Sequence, residues 1–252
     1  MLVVIYIGNY YLYEKIISLL DETDKLIYLG DACDRGPDGI HIMQSLLHNN
    51  KVIYLLGNHE RMFLNAICNL NSMEESEYNS LYLYFSNGGH NTYYKYLELE
   101  PEQQERLKIG LHSLPLYVEY INKNDKHIIL SHSGFDIDSL YDIIKGRKEQ
   151  DFFKYYSTIK VYSIDEDNFI WNREHLNIEH WSNNSKYTNT YMVHGHTPTI
   201  ALYTLNSKFE KLKEPKIVKY CDYHKIDIDL GTYDTNMTVL LDLDTFEPIY
   251  IK

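Results

Sequence analysis

The chain has 252 residues, 44% hydrophobic and 24% charged, with a net charge of −12. That length buries one large core, no apolar run reaches the ~20 residues of a membrane span, and the acidic balance argues against a nucleic-acid polymer as partner. Cys33, Cys68 and Cys221 are an odd set without metal-ligand spacing, which suits reduced thiols in a cytoplasm.

In chain order, Leu2–Ile7, Leu26–Leu29 and Val52–Leu56 have strand length and β-branched content. Helical spacing over Leu12–Leu20 and Ile40–His48 separates them, and each strand ends in a glycine turn, Gly8-Asn9, Gly30-Asp31 and Gly57-Asn58. This βαβαβ pattern predicts a parallel sheet with right-handed crossovers and ligand sites at the strands' carboxyl ends. Residues 69–111 are polar and tyrosine-rich, carry no strand signal and read as a helical cap-like segment. After Pro115, strand signals return at Leu116–Ile121, His127–Leu130, Tyr191–Val193, Lys225–Leu230 and Met237–Leu243, and these predict a second sheet packed on the first. One domain over residues 1–252 is expected.

Chemistry-bearing residues gather at these strand ends. Gly30-Asp31-Ala32-Cys33-Asp34-Arg35-Gly36 puts two carboxylates and an arginine just after a buried strand. Burying such charge is costly unless a metal or a phosphate compensates it; an N-cap with a surface turn is the plainer alternative. Gly57-Asn58-His59-Glu60-Arg61 offers a carbonyl oxygen to a hard cation and an imidazole for a proton, or else an ordinary helix start. Ser131-His132-Ser133-Gly134 and His194-Gly195-His196-Thr197-Pro198 each set a histidine beside glycine after an apolar run. Arg173, past Phe169-Ile170-Trp171, has the fork that suits two phosphate oxygens, although a surface ion pair would explain it equally.

Taken in order, these segments resemble the phosphoprotein phosphatase family of metallophosphoesterases, which includes Ser/Thr protein phosphatases and bacterial symmetrical dinucleoside tetraphosphatases. Gly30–Gly36 fits its G-D-x-x-D-R-G, Gly57–Glu60 its G-N-H-E, and Gly195-His196-Thr197 the G-H-T of the bacterial branch. Ser131–Gly134 is similar to its H-A-G or H-G-G segment and Ile228–Gly231 to the late I-D-T-G, while Asn87-Gly88-Gly89 with Thr92 and Tyr96 resembles the bacterial branch's stretch before its cap. The resemblance implies an α/β fold, a four-layer αββα sandwich of two mixed sheets flanked by helices. It also implies two divalent metals, most often manganese, with iron, zinc or magnesium as alternatives. Asp31 would bridge the metals, and Asn58, His132 and His196 would complete the second. His59, held by Asp34, would be the general acid; Arg35 and Arg173 would clamp the phosphate; a metal-bound hydroxide would attack.

One motif departs from the family. G-D-x-H-G-N should follow the first strand, but here Ile5 stands at the aspartate and Ile7 at the histidine, ahead of Gly8-Asn9. Isoleucine has no lone pair to offer, so the first metal's site should be weak or empty. The expectation is therefore a phosphoesterase with one intact metal site and reduced activity, acting on a phosphorylated protein or a nucleotide. A binding protein for such a ligand that no longer cleaves it is the rival.

Overall fold

A computed structural model of the chain describes residues 1–5, 8–68, 75–138, 157–158, 167–177, 181–182 and 184–252. The first sheet has the order β11-β10-β1-β2-β3. Its strands β1 (Leu2–Val4), β2 (Leu26–Tyr28) and β3 (Val52–Tyr54) run parallel, with Val3 opposite Ile27 and Ile27 opposite Ile53. Helices α1 (Tyr10–Ser18) and α2 (Gly39–His48) make the crossovers. The second sheet has the order β6-β4-β5-β7-β9-β8. In it β5 (His127–Ser131), β7 (Thr190–His194) and β9 (Lys225–Asp227) are parallel, while β4 (Tyr117–Ile121), β6 (Ser157–Thr158) and β8 (Val218–Tyr220) are antiparallel to their neighbours.

Period-two alternation in the strands explains the layering. Val3, Ile5, Ile27 and Leu29 of the first sheet share one buried cluster with Val118, Ile128, Leu130 and Val193 of the second. The intervening Leu2, Val4, Leu26 and Tyr28 face outward and pack with Ile16, Ile40 and Met43 of the helices. Two mixed sheets therefore stack face to face with helices outside them.

One finding amends the sequence expectations. Met237–Leu243 was expected in the second sheet, but β10 (Thr238–Asp242) pairs antiparallel with β1 in the first, followed by β11 (Pro248–Ile251). Strand composition does not encode a partner, and β1 needs one on its free side. Of 69–111, residues 75 onward form α4 (Glu75–Ser86), α5 (His90–Leu97) and α6 (Pro101–His112), with Pro101 at the first turn and a Glu100–Gln103 capping box. Tyr6, Ile7 and residues 69–74 lie outside the described residues.

Candidate active site

Three parallel strands in each sheet end at one edge of the sandwich, and the residues that follow them meet there. Asp31 follows β2, Asn58 and His59 open α3 (Asn58–Cys68) after β3, His132 follows β5, and His196 follows β7. The second sheet reaches the first directly: His132 Nδ1 lies 2.7 Å from the Leu29 carbonyl, and the Gly195 amide donates to the His132 carbonyl at 2.9 Å.

That contact fixes the imidazole. With Nδ1 turned to the Leu29 carbonyl, the ring aims Nε2 into the site. This nitrogen faces Asn58 Oδ1 at 2.8 Å, His196 Nδ1 at 3.2 Å and Asp31 Oδ1 at 3.4 Å, and Asn58 Oδ1 lies 2.9 Å from His196 Nδ1. Burial and neighbouring His132 hold His196 well below the usual imidazole range, so it is neutral. Burial pushes Asp31 up, but His132, His59 and His196 together hold it below the usual carboxylate range. Four nitrogen and oxygen atoms that can act as ligands thus converge on one point. Two imidazole nitrogens and two oxygens in that relation fit a divalent cation.

Beside them His59, 2% exposed, places Nδ1 2.7 Å from Asp34 Oδ2, and its amide donates to Asp31 Oδ1 at 3.1 Å. Burial pulls the imidazole's pKa down, yet the charges of Asp31 and Asp34 outweigh it and raise the value. Arg35 Nη2 lies 3.2 Å from His59 Nε2. Arg173 Nε donates to Thr197 Oγ1 at 3.2 Å. Both arginines line the same 140 Å³ cavity as Asp31, Asn58, His59 and His196, and all eight sequence-predicted site residues except His132 and Asp34 face it. Those two lie directly behind, His132 on the cation donors and Asp34 on His59.

Two further residues, given no role by the sequence, support the site. Glu60 is fully buried, and its carboxylate accepts the amides of Asp31 (2.8 Å), Ala32 (2.6 Å) and Gly57 (2.9 Å) and the Tyr54 hydroxyl (2.8 Å), which pins the Asp31 loop to the start of α3. Its place directly after His59, in a chain segment that ends buried, was the available signal. Tyr84 donates to Asp34 Oδ1 at 2.5 Å from α4, and nothing in the sequence marks it. The loops themselves are bent against their preference: Asp31, Asp34, Arg35 and His196 have φ of 63°, 74°, 53° and 70°. Non-glycine residues there are uncommon and cluster at functional sites.

Residues 6–230 match the calcineurin-like phosphoesterase family. The chain belongs to that family. Among curated relatives it is 29% identical over 119 residues to serine/threonine-protein phosphatase 2 of Escherichia coli (strain K12), covering 47% of this chain and 49% of that protein. It is 24% identical over 221 residues to the asymmetrical bis(5'-nucleosyl)-tetraphosphatase PrpE of Oceanobacillus iheyensis, covering 82% of this chain and 69% of PrpE. The chain therefore spans about half the length of the first relative and somewhat over two thirds of the second. A crystal structure assigned provisionally to a diadenosine tetraphosphatase superposes with a TM-score of 0.52 at 13% identity, covering 99% of this chain and 92% of that one, and shares its fold.

Calcineurin-like phosphoesterases use divalent metals, so the broken first motif has a structural counterpart here. Ile5 is 2% exposed and belongs to the cluster between the sheets. A Cβ added to Gly195 would lie 2.6 Å from Ile5 Cδ1 and 3.4 Å from Asp229 Cβ, so the isoleucine methyls press on the backbone one step before His196. Hydrocarbon stands beside the cation donors there, and it offers no lone pair to an ion. Ile7 lies outside the described residues.

Proposed function

We propose that this phosphoesterase hydrolyses phosphate monoesters, phosphorylated serine or threonine side chains among them, or the phosphoanhydrides of a nucleotide. The observation that carries the reading is the convergence of Asp31, Asn58, His132 and His196 on one point beside the His59–Asp34 pair. Asp31, Asn58, His132 and His196 would hold one divalent cation, for which we take manganese first and iron, zinc or magnesium as alternatives. Such a cation polarises phosphoryl oxygens and acidifies water enough for attack near neutral pH. Arg35 and Arg173 bind the phosphoryl oxygens and offset their charge. His59 gives its proton to the leaving oxygen, and Asp34 keeps the ring turned and charged for that transfer.

Size separates the two ends of the substrate. The 140 Å³ cavity holds a phosphoryl group but falls short of the 300 Å³ or so at which pockets begin to enclose larger ligands. An adjoining 440 Å³ cleft shares Arg35, Asn87 and Tyr233 with it and suits the leaving group, whether peptide or nucleoside. No helix among the described residues is long and apolar enough to cross a membrane. Turnover of an alkyl phosphate, whose basic leaving oxygen needs the acid, with added manganese tests the reading. His59→Ala should lose roughly 10²- to 10⁴-fold, and a wild-type rate no higher than this variant's removes the catalytic claim. The buried Ile5 favours one rival, a protein that binds a phosphorylated partner or nucleotide without cleaving it; saturable binding without turnover would select it.

A further inference from the structure

We infer that Tyr84 is a positioning residue for proton transfer, acting on His59 through Asp34. This rests on the reading of His59 as the acid. Asp34 is fully buried, and its two carboxylate oxygens are divided between two partners: Oδ2 faces His59 Nδ1 at 2.7 Å and Oδ1 accepts the Tyr84 hydroxyl at 2.5 Å. An aspartate's terminal torsion is broad and close to two-fold, so a carboxylate gripped at one oxygen can swing. Gripped at both, its plane is set, and the imidazole opposite is set with it.

The tyrosine is itself held without freedom. It is fully buried on α4, 50 residues from Asp34, with Phe63 tilted against its ring at 5.9 Å. The turn after α4 closes the other side. A Cβ on Gly89 would lie 2.3 Å from the ring's Cζ, so only glycine admits the ring there, and the Gly89 amide donates to the Tyr84 carbonyl at 3.1 Å. The same turn grips the Asp34 loop: Gly88 accepts the Arg35 amide at 3.3 Å, and Thr92 Oγ1 accepts the Asp34 amide at 3.0 Å. Burial, with the charges of Cys33 and Asp34, drives the phenol far above its usual range, which keeps it a donor. Gly88, Gly89 and Thr92 thus hold Tyr84 and the Asp34 loop against each other. A tyrosine needed only for packing could have met a backbone carbonyl instead.

Positioning of a general acid has a signature that loss of packing lacks. The acid matters most for esters whose leaving oxygen is basic and least for those that leave unaided. Tyr84→Phe keeps the ring and removes the hydroxyl, so kcat should fall about ten- to a hundredfold on an alkyl phosphate and under about threefold on p-nitrophenyl phosphate. In an Asp34→Asn background the same change should have little further effect, since groups that act as a unit are non-additive. Should Tyr84→Phe not fold, Gly89→Ala, which displaces the hydroxyl, should give the same selective loss. A loss equal for all leaving groups, no loss, or a full additional loss in Asp34→Asn overturns the inference. His59→Ala separates the two levels. No leaving-group dependence in His59→Ala sinks the acid itself, whereas dependence there but not in Tyr84→Phe sinks Tyr84 alone.

Discussion

Asp227 ends β9 fully buried, with Oδ1 accepting the Asp229 amide at 3.0 Å and Oδ2 without a partner among the described residues. Burial, then the charge of Asp229, pushes its carboxyl well above the usual range. The folded chain therefore keeps a proton that the unfolded chain loses near pH 4. Since the native state binds more protons, stability falls as pH rises from about 4 through the raised pKa. Asp227→Asn has no proton to keep, so its Tm advantage over wild type should widen from pH 4 to pH 7; parallel melting curves across that range would contradict this. At the same scale, the convergent site residues are readable in the sequence because each lies within a few residues of a strand's carboxyl end, beside glycine. Tyr84 is not, since one tyrosine among 25 carries no mark of the carboxylate it will meet.

Among the elements, α1 shows how the turn after the first strand serves the helix that follows it. Asn9 spends its side chain as an N-cap, Oδ1 accepting the Leu12 amide at 3.1 Å. The helix consequently starts at Tyr10, earlier than the apolar spacing from Leu12 suggests. Asn9→Ala should cost about 1 kcal/mol, a fall of about 2–4 °C in Tm for a chain of this size, with turnover unchanged. A large loss of turnover with no fall in Tm would return Asn9 to the site. Strands β6, β8 and β11 escape the sequence for physical reasons too. The first is two residues long, the second is Val-Lys-Tyr at a sheet edge, and the third begins with Pro248 and leaves Ile249 and Tyr250 exposed.

For the whole molecule, the decisive fact is that the cation donors come from both layers, Asp31 and Asn58 from the first sheet and His132 and His196 from the second. An ion bound there joins the sheets and stabilises the fold by mass action, about 2.7 kcal/mol at a hundredfold excess over Kd. That corresponds to about 5–10 °C in Tm. Titration with manganese should show one equivalent per chain and this rise, and His132→Ala should lose both. Two equivalents in the wild type would mean that Asp229, which lines the cavity and is pushed up to about 6 by burial, serves a second ion despite Ile5. The stacking of two mixed sheets follows from alternation in the strands, whereas the return of β10 to the first sheet depends on pairing that composition does not express. The left-handed turns at Asp31, Asp34, Arg35 and His196 set a limit on improvement by mutation. Glycine is the residue that would relax each of them, and glycine has neither carboxylate, guanidinium nor imidazole. Stabilising substitutions must therefore be sought elsewhere in the chain, because at these four positions comfort and chemistry exclude each other.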